Sequence, residues 1–176
     1  MRRRIEVLVG AIAILAASVL VAAAPASAAE YRIHGACCGN GPSMTGSLHG
    51  TWDWTSPEEG WASFFATLQY DPATGIMTFR VPEMFVGTFE GQEGSFRAEG
   101  VSLQRFKPGT ALYDFTRWPD PQPGTTGDPK QWLGGWGVSR IVEGSGTGVF
   151  DGASGSLAFT NRVLLGTTTY TGVIDI

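Results

Sequence analysis

The chain has 176 residues, of which 43% are hydrophobic and 16% are charged, with 12 basic and 16 acidic side chains. A chain of this length and composition can bury a core, and we expect one domain rather than a disordered chain. The acidic balance disfavours a nucleic-acid binder, because such proteins usually present a basic patch. The 25 glycines follow no three-residue period, which excludes collagen and indicates many turns.

Residues 1–28 have the three parts of a secretory signal peptide. Arginines at positions 2–4 are followed by an apolar run of 14 residues and by an Ala-Ser-Ala cleavage pattern at residues 26–28. The apolar run is shorter than the ~20 residues that a membrane-spanning helix needs. We therefore predict cleavage after Ala28 and a secreted protein. The remaining 148 residues hold 9 basic and 15 acidic side chains, a net charge of −6, so we expect neither a membrane nor a nucleic-acid partner.

Residues 29–43 are rich in glycine and cysteine and are predicted to form a flexible lead-in. Cys37 and Cys38 are adjacent, and the sequence contains no other cysteine with which either could pair. A disulfide between these neighbours, an intermolecular link and thiols without a structural role all stay open. His34 lies nearby, but this spacing is not that of a metal site, and we expect no metal and no other cofactor.

After residue 43, hydrophobic and polar residues mostly alternate, as in strands with one buried face. The alternation predicts strands over 48–54, 62–70, 77–85, 96–103, 132–142, 156–165 and 168–176. The apolar phase shifts after Gly100, which indicates a bulge there. Residues 107–131 hold five prolines and are predicted to be a long loop with a short strand at 111–115. No stretch after the leader shows the period of a helix.

One pattern occurs twice, at residues 87–96 and 148–157. Both copies read G-x-F-[E/D]-G-x-x-G-S-[F/L]. The pattern predicts a hairpin with the aromatic residue inside, the acidic residue outside and glycines that allow positive φ. A phosphate-binding loop is rejected, because such loops lead into a helix and none is predicted here.

Seven or eight strands joined by short turns leave a barrel or a sandwich as the architecture. Sequential hairpins favour closure, which removes exposed strand edges. We therefore predict an all-β fold: a single antiparallel eight-stranded β-barrel over residues 44–176.

The second copy and its surroundings also suggest a family. Residues 144–155, GSGTGVFDGASG, resemble the "G-T-G-x-F-x-G-A-x-G" hairpin of the allene oxide cyclase and dirigent β-barrel superfamily, including its secreted bacterial members. The first copy, with the residues up to Gly100, is similar as well. The resemblance implies a calycin-like barrel with an interior cavity, and it makes a trimer one candidate assembly. It implies little about chemistry, because the catalytic residues of those proteins do not match onto this chain.

Three polar residues fall on predicted apolar strand faces, where a barrel would hold its cavity. Glu83 could act as a general acid or base, since burial raises the pKa of a carboxyl group. Arg140 could pair with Glu83 or hold an anionic ligand, and Asn161 could polarise a ligand oxygen. A slip of one residue in register would move each of these side chains outside.

Six aromatic residues are candidate ligand contacts. Alternation assigns five of them to the cavity: Trp52, Trp54, Trp136, Phe79 and Phe159. Trp118, in the long loop, is the candidate for an exposed contact or a lid.

Three functions are compatible with these features. The leading prediction is a secreted barrel that binds a small, largely apolar ligand without catalysis. The first alternative is a cyclase or isomerase that acts on a hydrophobic substrate in the cavity. The second is a module that binds carbohydrate or protein through residues 107–131. A filled barrel would favour the last of these, and an open cavity would favour the other two.

Overall fold

A computed structural model describes residues 29–38, 42–117, 119–120, 122–162 and 167–176. The predicted signal peptide and Trp118 lie outside the described residues. Ten strands, one α-helix and a short 3-10 turn occur in the described part of the chain. They are β1 (Glu30–Cys37), β2 (Ser43–Gly46), β3 (Leu48–Trp54), α1 (Pro57–Thr67), β4 (Gln69–Asp71), β5 (Ile76–Phe89), β6 (Gln92–Phe106), the 3-10 turn (Phe115–Arg117), β7 (Trp132–Ile141), β8 (Thr147–Gly148), β9 (Ser154–Arg162) and β10 (Thr167–Asp175).

Eight strands close into an antiparallel barrel in the order β1-β2-β3-β5-β6-β7-β9-β10, and β10 pairs back with β1. The barrel strands therefore follow chain order, and the short β4 and β8 pair alongside β5 and β6. This confirms the predicted all-β, eight-stranded barrel. Within the described residues, no helix combines the length and the apolar character that crossing a bilayer requires.

The two copies of the glycine pattern meet at one end of the barrel. In the first copy, Glu90 and Gly91 both have positive φ and form the two-residue turn between β5 and β6. The second copy is not a hairpin of paired strands: β8, which ends at the first residue of the copy, pairs with Gly94 and Ser95 of the first copy, and the chain then turns into β9. The aromatic residues are buried and the acidic ones exposed, as predicted.

The same end of the barrel is filled by aromatic packing. Phe85 and Phe96 are cross-strand partners with ring centroids 5.2 Å apart, and Phe150 of the second copy contacts both rings at 5.6 and 5.0 Å. Tyr170 is buried beside them, and its hydroxyl oxygen accepts a hydrogen bond from the backbone N–H of Leu48 at 2.9 Å. Each such buried side chain contributes roughly 1.5–3 kcal/mol, so this end is the hydrophobic core.

Residues 57–67 form a helix where the sequence predicts a strand over 62–70. Ser56 is the N-cap, and its hydroxyl accepts the backbone N–H of Glu59 at 3.1 Å. Pro57 stands in the first turn, where a missing N–H costs nothing. The capping box S-x-x-E outweighs the alternation that follows it.

The helix lies along β5 beyond the end of β3. Thr67 Oγ1 accepts the backbone N–H of Arg80 at 2.8 Å, and the hydroxyl of Ser63 donates to the Arg80 carbonyl at 3.0 Å. Between the end of β3 and the helix, the backbone N–H of Thr55 donates a last hydrogen bond to the Pro82 carbonyl of β5 at 3.0 Å. Side chains of α1 therefore satisfy part of the β5 edge that β3 leaves open.

The structure also differs from the sequence prediction at the start of the barrel. Residues 30–37 are not a flexible lead-in: they form β1, which pairs with β10 along its full length from Glu30 to Cys37. The barrel domain therefore begins at residue 30 rather than at 44. Its closure depends on this strand, because β1 joins β10 to β2.

Two further differences lie in β6 and the long loop. β6 pairs with β5 in unbroken register through Gly100, so the predicted bulge is absent there. The register shift in this strand lies between Arg105 and Phe106, opposite β7. In the loop, the predicted strand at 111–115 is reduced to a single bridge between Ala111 and Thr125.

Candidate ligand-binding cavity

The other half of the barrel holds an open cavity of about 240 Å³. The residues that line it come from several strands of the barrel, and most of them point inward. Val101 and Trp136 are the exceptions, since both belong to the outward phase of their strands and lie at the border of the cavity. They are Cys38, Trp52, Trp54, Phe79, Val81, Glu83, Gly100, Val101, Ser102, Gln104, Trp136, Gly137, Ser139, Phe159 and Thr168.

The alternation of each strand explains which side chains reach this cavity. Along β5, Phe79, Val81 and Glu83 line it, while the next inward residue, Phe85, is fully buried in the core. Successive side chains of a strand point to opposite faces, so every second residue enters the barrel. The cavity is thus the continuation of the core toward the end where the inward residues become smaller or polar.

All five aromatic residues that the sequence assigned to a cavity border this one. Trp52 is 5% exposed and packs against Phe159 at 5.1 Å and against Phe96 of the core at 5.9 Å, so it forms the floor. Trp54 and Phe79 line the walls. Trp136 is 50% exposed and belongs to the outward phase of β7, so it contributes at the border and not in the interior.

Glu83 lies inside the barrel, as its alternation predicts, despite the neighbouring Pro82. The hydroxyl of Ser139 donates to Glu83 Oε2 at 2.5 Å, and the Trp52 side chain also hydrogen-bonds to this carboxyl group. Gly100 lies beneath the carboxylate, since a Cβ added there would overlap Oε2. The three elements β5, β6 and β7 therefore hold the Glu83 carboxyl group in one position.

Burial raises the pKa of Glu83 above its ordinary value, because removal from water penalises the charged form. The hydrogen bonds from Ser139 and Trp52 act in the opposite direction and are the smaller effects. The side chain is only half-buried by surface area, because part of it faces the cavity. Protein atoms surround the carboxyl group itself, so desolvation is the largest effect on its pKa.

A second polar group lies along β6. The amide of Gln104 donates to Ser102 Oγ at 2.8 Å, and its carbonyl oxygen accepts the indole N–H of Trp132 at 2.8 Å. The Gln104 amide is thus held by partners on both sides. Ser102, Gln104 and Ser139 were not among the sequence-predicted site residues. Their inward phase could be found only from the pairing of β5, β6 and β7.

Arg140 does not share the cavity with Glu83. Ser139 is 3% exposed and points inward, so its neighbour Arg140 is exposed on the outer face. There it is the cross-strand partner of Glu99 and borders an outer groove of about 630 Å³ with Arg80. The prediction that Arg140 pairs with Glu83 is therefore wrong. We favour the smaller inner cavity as the site, because the groove lies on the outside of the barrel, where Arg80, Glu99 and Arg140 are exposed to water.

Asn161 lies in β9, paired with Thr168 of β10 and with Gly135 of β7. Its side chain falls outside the described part of the structure, so its predicted role stays a prediction. Trp118, the lid candidate, lies outside the described residues as well.

The helix and the long loop pack against the wall of the cavity. Phe64 of α1 contacts Phe79 with ring centroids 4.9 Å apart, and Phe115 of the loop contacts Phe64 at 5.1 Å. Tyr113 is 5% exposed, and its hydroxyl donates to the Asp120 carbonyl at 2.9 Å. These loop aromatics are therefore used for packing near the cavity wall.

Cys37 and Cys38 form a disulfide between adjacent residues at the end of β1. Cys37 is buried in the core cluster, whereas Cys38 borders the cavity. Cys38 also has a positive φ of 64°. The disulfide thus forms part of the rim of the cavity.

No group of three or more His, Cys, Asp or Glu side chains in the described residues is arranged to hold a metal ion. Comparisons of the chain with protein-family models, curated proteins and solved structures find no match in any of the three. The resemblance to allene oxide cyclase and dirigent barrels accordingly stays a prediction from the two glycine patterns.

Proposed function

We propose that this protein binds a small, largely apolar molecule in the barrel cavity and does not convert it. The observation that carries the proposal is the aromatic lining. Trp52, Trp54, Phe79 and Phe159 line a space of about 240 Å³, and a few of the other lining groups are polar. Ligand sites are typically concave and mostly apolar, with a small number of placed polar groups that orient the ligand. The cavity is smaller than a typical drug-sized site, which suits a ligand of one ring and a short chain.

The polar groups in the cavity support binding more than turnover. Glu83 is the one ionisable side chain among the described lining residues, since Cys38 is in a disulfide. Ser139 and Trp52 already hydrogen-bond to it. A single carboxyl group that protein donors hold in place can orient a ligand, whereas most acid–base mechanisms need a second group.

The proposal is tested with 2-phenylethanol as a neutral probe, by isothermal titration calorimetry and ligand-observed NMR. Saturable binding with one site per chain is expected. Gly137→Leu places a side chain into the cavity from the inner face of β7, and it should abolish binding. Ala158→Leu adds the same side chain at an exposed position of β9 and serves as the matched control. Equal binding by both variants would show that the probe binds elsewhere.

A cyclase or isomerase is the second candidate, and the raised pKa of Glu83 favours it. A carboxyl group that is neutral in an apolar cavity can donate a proton to a bound substrate. In that case Glu83→Gln should retain substrate binding and lose turnover.

The remaining expectations rest on the sequence alone. Secretion rests on residues 1–28, and a trimeric assembly rests on the family resemblance. The carbohydrate- or protein-binding alternative rests on the 107–131 loop, where Tyr113 and Phe115 are used for packing and do not favour it.

A further inference from the structure

We infer that the cavity selects ligands that carry a protonated amine, with the ammonium group against the Glu83 carboxylate and the apolar part against the aromatic walls. This inference rests on the proposed binding function and names the class of ligand. Its three supports are the carboxyl group of Glu83, which no cation accompanies among the described lining residues, the aromatic rings around it and the hydrogen-bond acceptors beside it.

The first support is a carboxyl group without a cation. Among the described lining residues, none is basic, and the two groups that hydrogen-bond to Glu83 are the neutral side chains of Ser139 and Trp52. A carboxylate removed from water needs a compensating positive charge or a proton. Burial raises the pKa of Glu83, which means that the charged form is disfavoured, and an ammonium ligand would supply the positive charge that the carboxylate lacks.

The second support is the composition of the walls. Trp52, Trp54, Phe79 and Phe159 line the same cavity as Glu83, and Trp52 also hydrogen-bonds to the carboxyl group. The faces of aromatic rings attract cations, and tryptophan does so most strongly. Sites of this kind, with aromatic rings around a cation, recognise substituted ammonium groups. The combination of rings and one carboxylate fits a cation better than it fits an anion or a hydrocarbon.

The third support is the position of the acceptors. Gly100 has no side chain to cover the carboxylate, and it lines the cavity beside Ser102. Ser102 Oγ accepts only from the Gln104 amide among the described contacts, and the inward side chains of β6 and β7 place it on the same wall as Ser139. An ammonium group has three N–H donors, so a carboxylate and neighbouring hydroxyl oxygens can satisfy more than one of them. Charge-assisted hydrogen bonds of this type are the strong ones.

The test compares 2-phenylethylamine with 2-phenylethanol, which share the ring and the chain length and differ in charge at pH 7.5. Calorimetric titration of the full protein should show at least tenfold tighter binding of the amine. In Glu83→Gln this preference for the amine over the alcohol should disappear. The comparison of the two probes on the unaltered protein does not depend on how the variant folds. As a further control, N-acetyl-2-phenylethylamine, which is a neutral amide, should bind no better than the alcohol.

Three results would overturn the inference. Equal or tighter binding of the alcohol by the unaltered protein would leave the proposed binding function standing and remove the amine preference. A preference for the amine that survives in Glu83→Gln would show that another group attracts the cation. Absence of binding by both probes would remove the proposed function and the inference together.

Discussion

The hydroxyl of Ser139 on β7 donates a 2.5 Å hydrogen bond to the carboxyl group of Glu83 on β5. The contact crosses β6 inside the barrel, where Gly100 is the cross-strand partner of both Val81 and Ser139. Three strands thus determine where the only ionisable side chain among the described lining residues stands. The following predictions depend on this arrangement and on the elements that support it.

Removal of the Ser139 hydroxyl should destabilise the fold. Ser139→Ala leaves the Glu83 carboxyl group without one of its two protein donors, and a buried polar group that loses a partner costs about 1–3 kcal/mol. Urea unfolding at pH 7.5 measures the difference. Ser154→Ala, at an exposed position of β9, should change the free energy of unfolding by less than about 0.5 kcal/mol. Similar losses in both variants would contradict a special role for the Ser139 contact.

Stability should fall with rising pH because of Glu83. Its pKa is raised in the native state from an ordinary value of 4.5, so the native state holds the proton more tightly than the unfolded chain. This contribution to stability is fully present below pH 4.5 and is lost as the pH rises through the raised pKa. The groups that face Glu83 are Ser139 of β7 and Trp52 of β3, which are neutral, and Gly100 of β6.

The matched measurement is the free energy of unfolding of the unaltered protein and of Glu83→Gln from pH 4 to pH 9. Exposed carboxyl groups titrate alike in both proteins, so the difference isolates Glu83. The variant should gain stability relative to the unaltered protein as the pH rises. Two parallel curves would show that Glu83 has the same pKa in the native and unfolded states.

Gly100→Ala should disturb the Glu83 carboxyl group directly. A Cβ at position 100 would overlap the Glu83 carboxyl oxygens, and overpacking of this kind costs about 1–3 kcal/mol. Gly137→Ala is the comparison, because its Cβ would not meet Glu83, and its nearest neighbour would be the Val101 carbonyl oxygen at 3.2 Å. In a Glu83→Ala background the cost of Gly100→Ala should shrink, and a double-mutant cycle by urea unfolding measures this coupling. Full additivity would contradict the contact.

The N-cap of α1 should matter for stability. Ser56→Ala removes the acceptor for the Glu59 N–H, and loss of such a cap costs about 1 kcal/mol. Thermal unfolding measures the loss, and Ser56→Asp, which keeps a capping oxygen, should restore most of it. Because Phe64 of this helix packs on Phe79 in the cavity wall, Ser56→Ala should also weaken 2-phenylethanol binding. An unchanged melting temperature would argue that packing alone holds the helix.

Two errors in the sequence prediction, the bulge after Gly100 and the inward Arg140, have one physical cause, which is the cavity itself. On β6 the outward residues Val101 and Leu103 are apolar, while inward positions hold glycine and polar residues, so the shift after Gly100 resembles a bulge. On β7 the outward Trp136 is apolar and the inward Ser139 is small and polar, which inverted the expected phase and put Arg140 inside. Hydrophobicity indicates the inner face only where that face is packed.

Local sequence patterns alone determine much of the fold of this protein. Alternation and turn residues were sufficient to predict an eight-stranded barrel, the inward position of Glu83 and four of the five aromatic residues of the lining, because a strand has a period of two whatever it packs against. The fifth, Trp136, lies on the outward face. The helix at residues 57–67 was also encoded, in the S-x-x-E capping box, but it was outweighed by a chance alternation.

Only the tertiary structure decided the rest, since it depends on pairing between distant residues. β1 is a strand because β10, more than 130 residues later, supplies its hydrogen-bond partners. The contact between Glu83 and Ser139 joins residues 56 positions apart, and it exists because the register of β5, β6 and β7 brings them to one level of the barrel. The register between strands cannot be read from the periodicity of any single strand. The polar groups that meet in the cavity are therefore known only from the closed barrel.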